Sequence, residues 1–84
     1  MLRDLREQIS ALDRAIVDTV NERLRLVAQL KRHKDEHGIA FIDPEREAAL
    51  YEERQRENAG PLSEAGLSGF YAELLALTKR ELEA

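Results

Sequence analysis

The feature that most constrains the fold is a long amino-terminal stretch without glycine or proline. From Leu2 to about Lys34 the chain contains neither residue, and these two residues are the poorest helix formers. Apolar side chains recur through the stretch at steps of three, four or seven, at Leu5, Ile9, Leu12, Ile16, Val20, Val27 and Leu30. This spacing places them on one face of an α-helix. The sequence therefore predicts one long amphipathic helix.

Two shorter helices are predicted after the long one, which gives an all-α fold with three helices in a single domain of 84 residues. Gly38 is typical of a helix end, and Asp43 followed by Pro44 is typical of a helix start. The sequence Asn-Ala-Gly-Pro at 58–61 interrupts the helical pattern again. The predicted helices cover about residues 2–35, 43–57 and 63–82. The last of them is expected to bury an apolar stripe with one threonine: Leu67, Phe70, Tyr71, Leu74, Leu75 and Thr78.

The length of the first helix predicts self-association. A helix of about 33 residues is roughly 50 Å long, whereas a compact domain of this size has a radius of gyration near 12 Å and hence a diameter of about 30 Å. One subunit cannot cover such a helix, but a second copy can cover the part that extends beyond the domain. We therefore expect an intertwined homodimer.

Composition disfavours several classes of protein. The net charge is −4, and the 13 lysines and arginines alternate with 17 acidic residues instead of forming a basic stripe, which disfavours nucleic-acid binding. There is no cysteine, and the two histidines lack further ligands at zinc-like spacing, so we expect no metal site. No signal-like segment and no apolar run of about 20 residues is present. We expect a soluble, cytoplasmic protein that does not contact a membrane.

Three cations interrupt the apolar stripe of the first helix: Arg6, Arg23 and Lys34. Burying an unpaired guanidinium is costly. Each side chain alone is explained if it extends to solvent or pairs with an acid across the dimer. Three cations in one stripe instead favour an anion-binding role.

The second and third helices also carry polar residues where packing would favour apolar ones. Asp43, Arg46 and Glu47 lie on one face at steps of three and four, and Thr78 lies four residues after Leu74 on the apolar stripe of the third helix. Structural roles are available for most of them. Asp43 can be an N-cap and Glu47 can complement the helix dipole, while the Thr78 hydroxyl can bond back to the carbonyl of residue 74.

Together the polar residues on the three helices indicate a binding pocket with excess positive charge. Four cations face only two carboxylates in these patterns, and arginine matches carboxylate geometry with two parallel hydrogen bonds. The pocket is therefore suited to a small dianion. No nucleophile lies beside a base, and no glycine-rich phosphate loop is present, so any chemistry must come from orientation and charge.

The positions of these residues resemble the all-helical AroQ-type chorismate mutases, and the similarity covers nearly the whole chain. It rests on Leu5–Asp13, Glu22-Arg23, Lys31–Lys34 and Asp43–Glu47, with a similar Asn-Ala-Gly-Pro-Leu connection before the last helix. The resemblance implies an interlocked dimer with two active sites. It also implies a pericyclic rearrangement of chorismate to prephenate, in phenylalanine and tyrosine biosynthesis, without a cofactor or a covalent intermediate.

The resemblance further implies roles for the cations. Arg6 would enter the partner's site and share with Arg23 the binding of the substrate carboxylates. Lys34 would meet a carboxylate and the ether oxygen of the breaking bond, and Arg46 would shape the charged wall.

The remaining implied site residues are polar or acidic. Asp43 and Glu47 would face the ring hydroxyl, and Thr78 stands where the family usually has serine. The catalytic roles would fall on Lys34, Arg23 and Glu47.

One position departs from the family pattern. The family places Gln or Glu one turn after the serine-like position, as a second donor to the ether oxygen, and this chain has Leu82 there. Leucine cannot donate. Glu81 or Glu83 could substitute only when protonated, in which case activity would fall as the pH rises through the pKa of that carboxyl group.

Two other functions fit the same residues. An isochorismate pyruvate lyase would share the fold, the dianion pocket and a lysine from the loop after the first helix. A non-catalytic dimerisation or regulatory module of a larger aromatic-pathway enzyme would retain the helices and lack turnover. The Asp43–Glu47 segment and the Gly60-Pro61 connection favour the mutase.

Overall fold

A computed structural model describes residues 1–83, which form three α-helices and no strand. Helix α1 covers Leu2–Glu36, α2 covers Pro44–Glu57 and α3 covers Glu64–Glu83. The prediction of an all-α fold with three helices is confirmed. None of the helices in this range is both long enough and apolar enough to cross a membrane.

The end of α1 is set by a glycine in the left-handed region. Gly38 has a φ of 65°, a conformation that glycine adopts without steric cost. The N–H of Ile39 donates to the Lys34 carbonyl at 2.8 Å, and the N–H of Gly38 donates to the Asp35 carbonyl at 3.4 Å, which is the Schellman arrangement. This cap turns the chain sharply and leaves Lys34 in the last turn of α1.

The start of α2 is set by an aspartate cap. The Asp43 carboxylate accepts a hydrogen bond from the N–H of Arg46 at 3.1 Å, and Pro44 occupies the first helical turn. Both features satisfy or remove backbone donors that have no partner inside the helix. Asp43 is therefore an N-cap, which was one of its two sequence-based interpretations.

Helix α3 contacts both α1 and α2 and supplies the most buried side chains of the described residues, which are Leu67, Tyr71 and Thr78. The molecule extends 55 Å along its longest axis, and its radius of gyration is 15.7 Å, against about 12 Å for a compact chain of this length. The shape is elongated because α1 extends beyond the two helices that pack against it.

The amino-terminal half of α1 exposes its apolar stripe. Ile9, Leu12 and Ile16 are 58%, 63% and 56% exposed. Phe70 of α3, which the stripe of the third helix predicts to be buried, is 54% exposed. That prediction is wrong for the single chain, because Phe70 faces an open groove beside Leu12 and Ile16 that no part of the described chain covers.

Candidate active site

Four of the residues singled out from the sequence converge on a cavity of about 160 Å³ between the three helices. Its floor is apolar and its ionisable groups come from all three helices and the cap of α2. The lining residues are Arg23, Val27, Leu30, Phe41, Ile42, Asp43, Glu47, Leu50, Leu75, Thr78 and Lys79. The structure thus brings together four of the predicted site residues: Arg23, Asp43, Glu47 and Thr78.

Arg23 and Thr78 form the link between α1 and α3 in this cavity. The Arg23 Nη1 group donates to Thr78 Oγ1 at 2.5 Å, and Thr78 Oγ1 donates to the Leu74 carbonyl at 2.7 Å. Thr78 is only 5% exposed. The bond back to residue 74 and the contact with the cation therefore coexist. A guanidinium has five N–H donors, so Arg23 keeps donors for an anion.

Replacing Thr78 with valine is expected to lower the free energy of unfolding by about 1–3 kcal/mol, because the similar shape removes only the hydroxyl and leaves an Arg23 donor without its acceptor. Urea denaturation measures this change. Thr78→Ser keeps the hydroxyl and should lose much less stability. Thr19→Val is the control for losing the bond to the preceding turn, since the exposed Thr19 hydroxyl donates to the Ala15 carbonyl at 2.7 Å and forms no hydrogen bond with a cation in the described chain. Equal losses for Thr78→Val and Thr19→Val would show that the contact with Arg23 adds no stability.

Lys79 is a cavity residue that the sequence reasoning missed. Its Nζ lies 2.8 Å from Glu47 Oε1, and the two side chains are 34% and 27% exposed. Lys79 follows Leu75 by four residues and Tyr71 by eight, a spacing that would have placed it on the inner face of α3.

Lys34 lies at the edge of the cavity. Its Nζ donates to the backbone carbonyl of Phe41 at 3.3 Å, and Phe41 lines the cavity. The side chain is half-buried. The cap at the end of α1 turns the chain so that this carbonyl comes within reach of the lysine, which leaves the ammonium two further donors.

Besides Lys34, two more of the predicted cations, Arg6 and Arg46, do not line the cavity of their own chain. Arg6 is exposed near the start of α1, 17 residues before Arg23, which corresponds to about 25 Å along a helix. The Arg46 side chain is exposed as well, and the backbone N–H of Arg46 caps onto Asp43. Arg6 is therefore too far away to contact the cavity of its own chain, and it could contact only the cavity of a second chain.

The end of α3 contributes no donor to the cavity within residues 1–83. Leu82 is half-buried, whereas Glu81 and Glu83 are exposed, and none of the three lines the cavity. The alternative in which a protonated Glu81 or Glu83 replaces the missing donor is therefore not supported by their placement in the single chain.

The cavity combines fixed cations with fixed acceptors. Arg23 and Lys79 carry positive charge into it, Asp43 and Glu47 carry negative charge, and the Lys34 ammonium sits beside the wall. Such a site can bind carboxylates through the cations and accept a hydrogen bond from a hydroxyl through the carboxylates. Its apolar floor strengthens both kinds of contact.

Comparison with known protein families decides the assignment. Residues 5–83 match the family described as chorismate mutase type II. The chain belongs to this family. The family membership predicted from the sequence is confirmed, and the enzymes of this family are isomerases.

Three relatives show the same affiliation over parts of the chain. The T-protein of Haemophilus influenzae is 41% identical over 56 residues, and that of Enterobacter agglomerans is 39% identical over 56 residues; each match covers 67% of this chain and 15% of the T-protein. A 4-amino-4-deoxychorismate mutase of Streptomyces venezuelae is 38% identical over 45 residues, which cover 54% of this chain and 44% of that enzyme. The chain thus spans less than half the length of these relatives. No solved structure matches it.

Proposed function

We propose that this chorismate mutase type II chain converts chorismate to prephenate as a step of aromatic amino acid biosynthesis. The observation that carries the proposal is the half-buried Arg23, which Thr78 holds in a cavity that also contains Asp43 and Glu47. The family match over residues 5–83 supports the same reaction.

The reaction needs a fixed substrate shape more than it needs chemical groups. One carbon–oxygen bond of chorismate breaks while one carbon–carbon bond forms, and no proton or electron passes to the protein. The substrate must fold into a chair-like conformer for the two reacting carbons to meet. Arg23 binding to a carboxylate would select that conformer, which removes part of the entropic barrier.

Lys34 is proposed to act on the charge that develops during bond breaking. Negative charge builds on the ether oxygen as its bond to carbon lengthens. An ammonium that is already held in place, as Lys34 is by the Phe41 carbonyl, stabilises this charge without reorganisation. Because the charge is larger in the transition state than in the substrate, this contact raises kcat.

The two carboxylates of the cavity are proposed to face the ring hydroxyl. Asp43 and Glu47 repel the carboxylates of a dianionic substrate, so the uncharged end of the substrate is the end that can approach them. A carboxylate accepts a hydrogen bond from a hydroxyl readily. Arg46, on the outer side of α2, is proposed to act on the substrate only through the charge that it adds near the site.

We further propose that the active unit is a homodimer in which Arg6 enters the partner's cavity. An open groove of about 510 Å³ runs between α1 and α3 and is lined almost entirely by apolar groups, including Leu12, Ile16, Phe70 and Leu74. Exposed apolar surfaces of this kind mark interaction sites. A second α1 laid along the groove would cover them and carry its Arg6 toward a site that it cannot reach in its own chain.

Replacing Ile16 with aspartate is expected to give a monomer and to lower chorismate mutase activity at least about tenfold, because the introduced charge would be buried at the subunit contact. Light scattering should give twice the chain mass of 9.6 kDa for the wild type and the chain mass for the variant. Ala11→Asp adds the same charge on the opposite side of α1 and should remain dimeric. A monomeric wild type with full activity would refute the proposed dimer.

An assay of the purified protein separates the candidate functions. With chorismate we expect prephenate, and with isochorismate we expect no release of pyruvate. Pyruvate from isochorismate would identify a lyase, and binding of a dicarboxylate transition-state analogue without turnover would identify a non-catalytic module. One relative carries the name of a mutase for the 4-amino analogue of chorismate, so that compound is the second candidate substrate. A cytoplasmic location remains a prediction.

A further inference from the structure

The cavity depends on Lys79 for its charge balance. Four ionisable side chains line it in the described chain, two cations and two carboxylates. Without Lys79, Arg23 would be the only cation of the lining against Asp43 and Glu47, and the lining would carry a net charge of −1. A cavity with that charge disfavours a dianion. Lys79 therefore affects substrate binding as well as linking α3 to α2 through its ion pair with Glu47.

Lys79 acts on one carboxylate in particular. Its Nζ is 2.8 Å from Glu47 Oε1, a distance at which opposite charges largely offset each other. Asp43 is occupied differently, because one of its oxygens accepts the N–H of Arg46 at the start of α2. The substrate group that approaches Glu47 therefore meets a carboxylate that already has a cation beside it.

We propose that Lys79 is a specificity-determining residue, whose ammonium beside Glu47 makes the cavity accept a dianion with a ring hydroxyl and reject the analogue with a ring amine. The inference rests on the proposed function, in which Glu47 faces the ring substituent. A hydroxyl is neutral and donates one hydrogen bond to Glu47 without opposing Lys79. An aliphatic amine is protonated near pH 7, as the lysine side chain is, and would bring a second cation against Lys79.

Removing the Lys79 charge should reverse this selection. In Lys79→Met, Glu47 keeps its negative charge and loses its cation, so it attracts an ammonium on the substrate, and the repulsion between that ammonium and Lys79 is gone. The same variant loses positive charge that helps to bind the two substrate carboxylates. Both substrates thus lose the attraction between their carboxylates and Lys79. Only the amine substrate gains an ion pair, between its ammonium and Glu47.

The test is to measure kcat/KM for chorismate and for its 4-amino analogue on the same protein preparations. The wild type should prefer chorismate about tenfold or more. Lys79→Met should shift the ratio of the two kcat/KM values toward the amine by about tenfold or more. Both effects are expected because bringing two like charges together in a site is costly. Arg80→Met is the matched control. Arg80 is the next residue of α3, pairs with Glu73 at 2.7 Å and does not line the cavity. The ratio of the two kcat/KM values in Arg80→Met should therefore stay within about twofold of the wild-type ratio.

The ratio separates specificity from stability. A variant that is merely less folded loses activity toward both substrates equally, so a purely structural Glu47–Lys79 pair would leave the ratio unchanged and overturn the inference. A wild type that prefers the amine would overturn it as well. Lys79→Arg keeps the charge and should keep the preference for chorismate. If the wild type converts neither substrate, the proposed function itself fails; if it converts chorismate but Lys79→Met keeps the wild-type ratio, only the role of Lys79 fails.

Discussion

Replacing Lys34 with alanine is expected to lower kcat for chorismate by at least about a hundredfold while the helices remain intact. Removal of one preorganised donor to a developing oxyanion typically costs about 2.7–4 kcal/mol of transition-state stabilisation. The fold should survive, because the Lys34 ammonium bonds only to the backbone carbonyl of Phe41 in the described chain and the cap that ends α1 uses backbone groups. Steady-state kinetics and circular dichroism measure the two effects.

The matched control for this variant is Arg32→Ala. Arg32 lies two residues earlier on α1, is exposed and does not line the cavity. Exposed substitutions away from a site change little, so turnover should change by less than about threefold. A Lys34→Ala enzyme with near-normal kcat, or an equal loss in both variants, would contradict a role for Lys34 at the ether oxygen.

Replacing Arg23 with methionine is expected to lower kcat/KM for chorismate by about a hundredfold or more. The change removes the cation that lines the cavity from α1 and the hydrogen bond to Thr78, and a hydrogen bond to a charged group is worth about 1.5–3 kcal/mol. Binding of a dicarboxylate transition-state analogue, measured by calorimetry, should weaken in parallel, because Arg23 is proposed to hold a carboxylate in both the ground state and the transition state.

Arg23→Lys tests the geometry separately from the charge. Lysine keeps the positive charge but lacks the planar fork that can bind a carboxylate and Thr78 together, so this variant should recover only part of the lost activity. Arg25→Met, on the exposed side of α1, is the control for loss of one cation and should behave as wild type. Full activity of Arg23→Lys would mean that charge alone is sufficient at this position.

The three helices could be predicted because the boundary between the first two has local causes at both sides. Gly38 permits the left-handed turn that ends α1, and Asp43 with Pro44 starts α2 through a hydrogen bond spanning three residues. These features depend only on residues that are close in the chain, so they can be recognised without knowing how the helices pack. The stripe on α1 carried similar information, since its regular spacing already placed Arg23 beside apolar residues of the core face.

The site was predictable only in part, because its residues come from three separate elements. Arg23 and Thr78 are 55 positions apart in the chain, and nothing local specifies that one donates to the other. The spacing did show that each faces the packed side of its helix. It also left two interpretations of the Thr78 hydroxyl open, and the structure satisfies both, with Leu74 accepting from it and Arg23 donating to it.

The sequence by itself determined the helices, their ends, the family and a set of charged candidates for the site. Tertiary structure decided which charges share a cavity: Arg46 lies outside it, Arg6 is too distant within one chain, and Lys79, which was not a candidate, lies inside beside Glu47. The reason is physical. Helix formation depends on contacts three or four residues apart, whereas the rotation of α3 against α1 and α2 depends on packing across the whole chain, and that rotation turns Lys79 toward Glu47 and leaves Phe70 in an open groove.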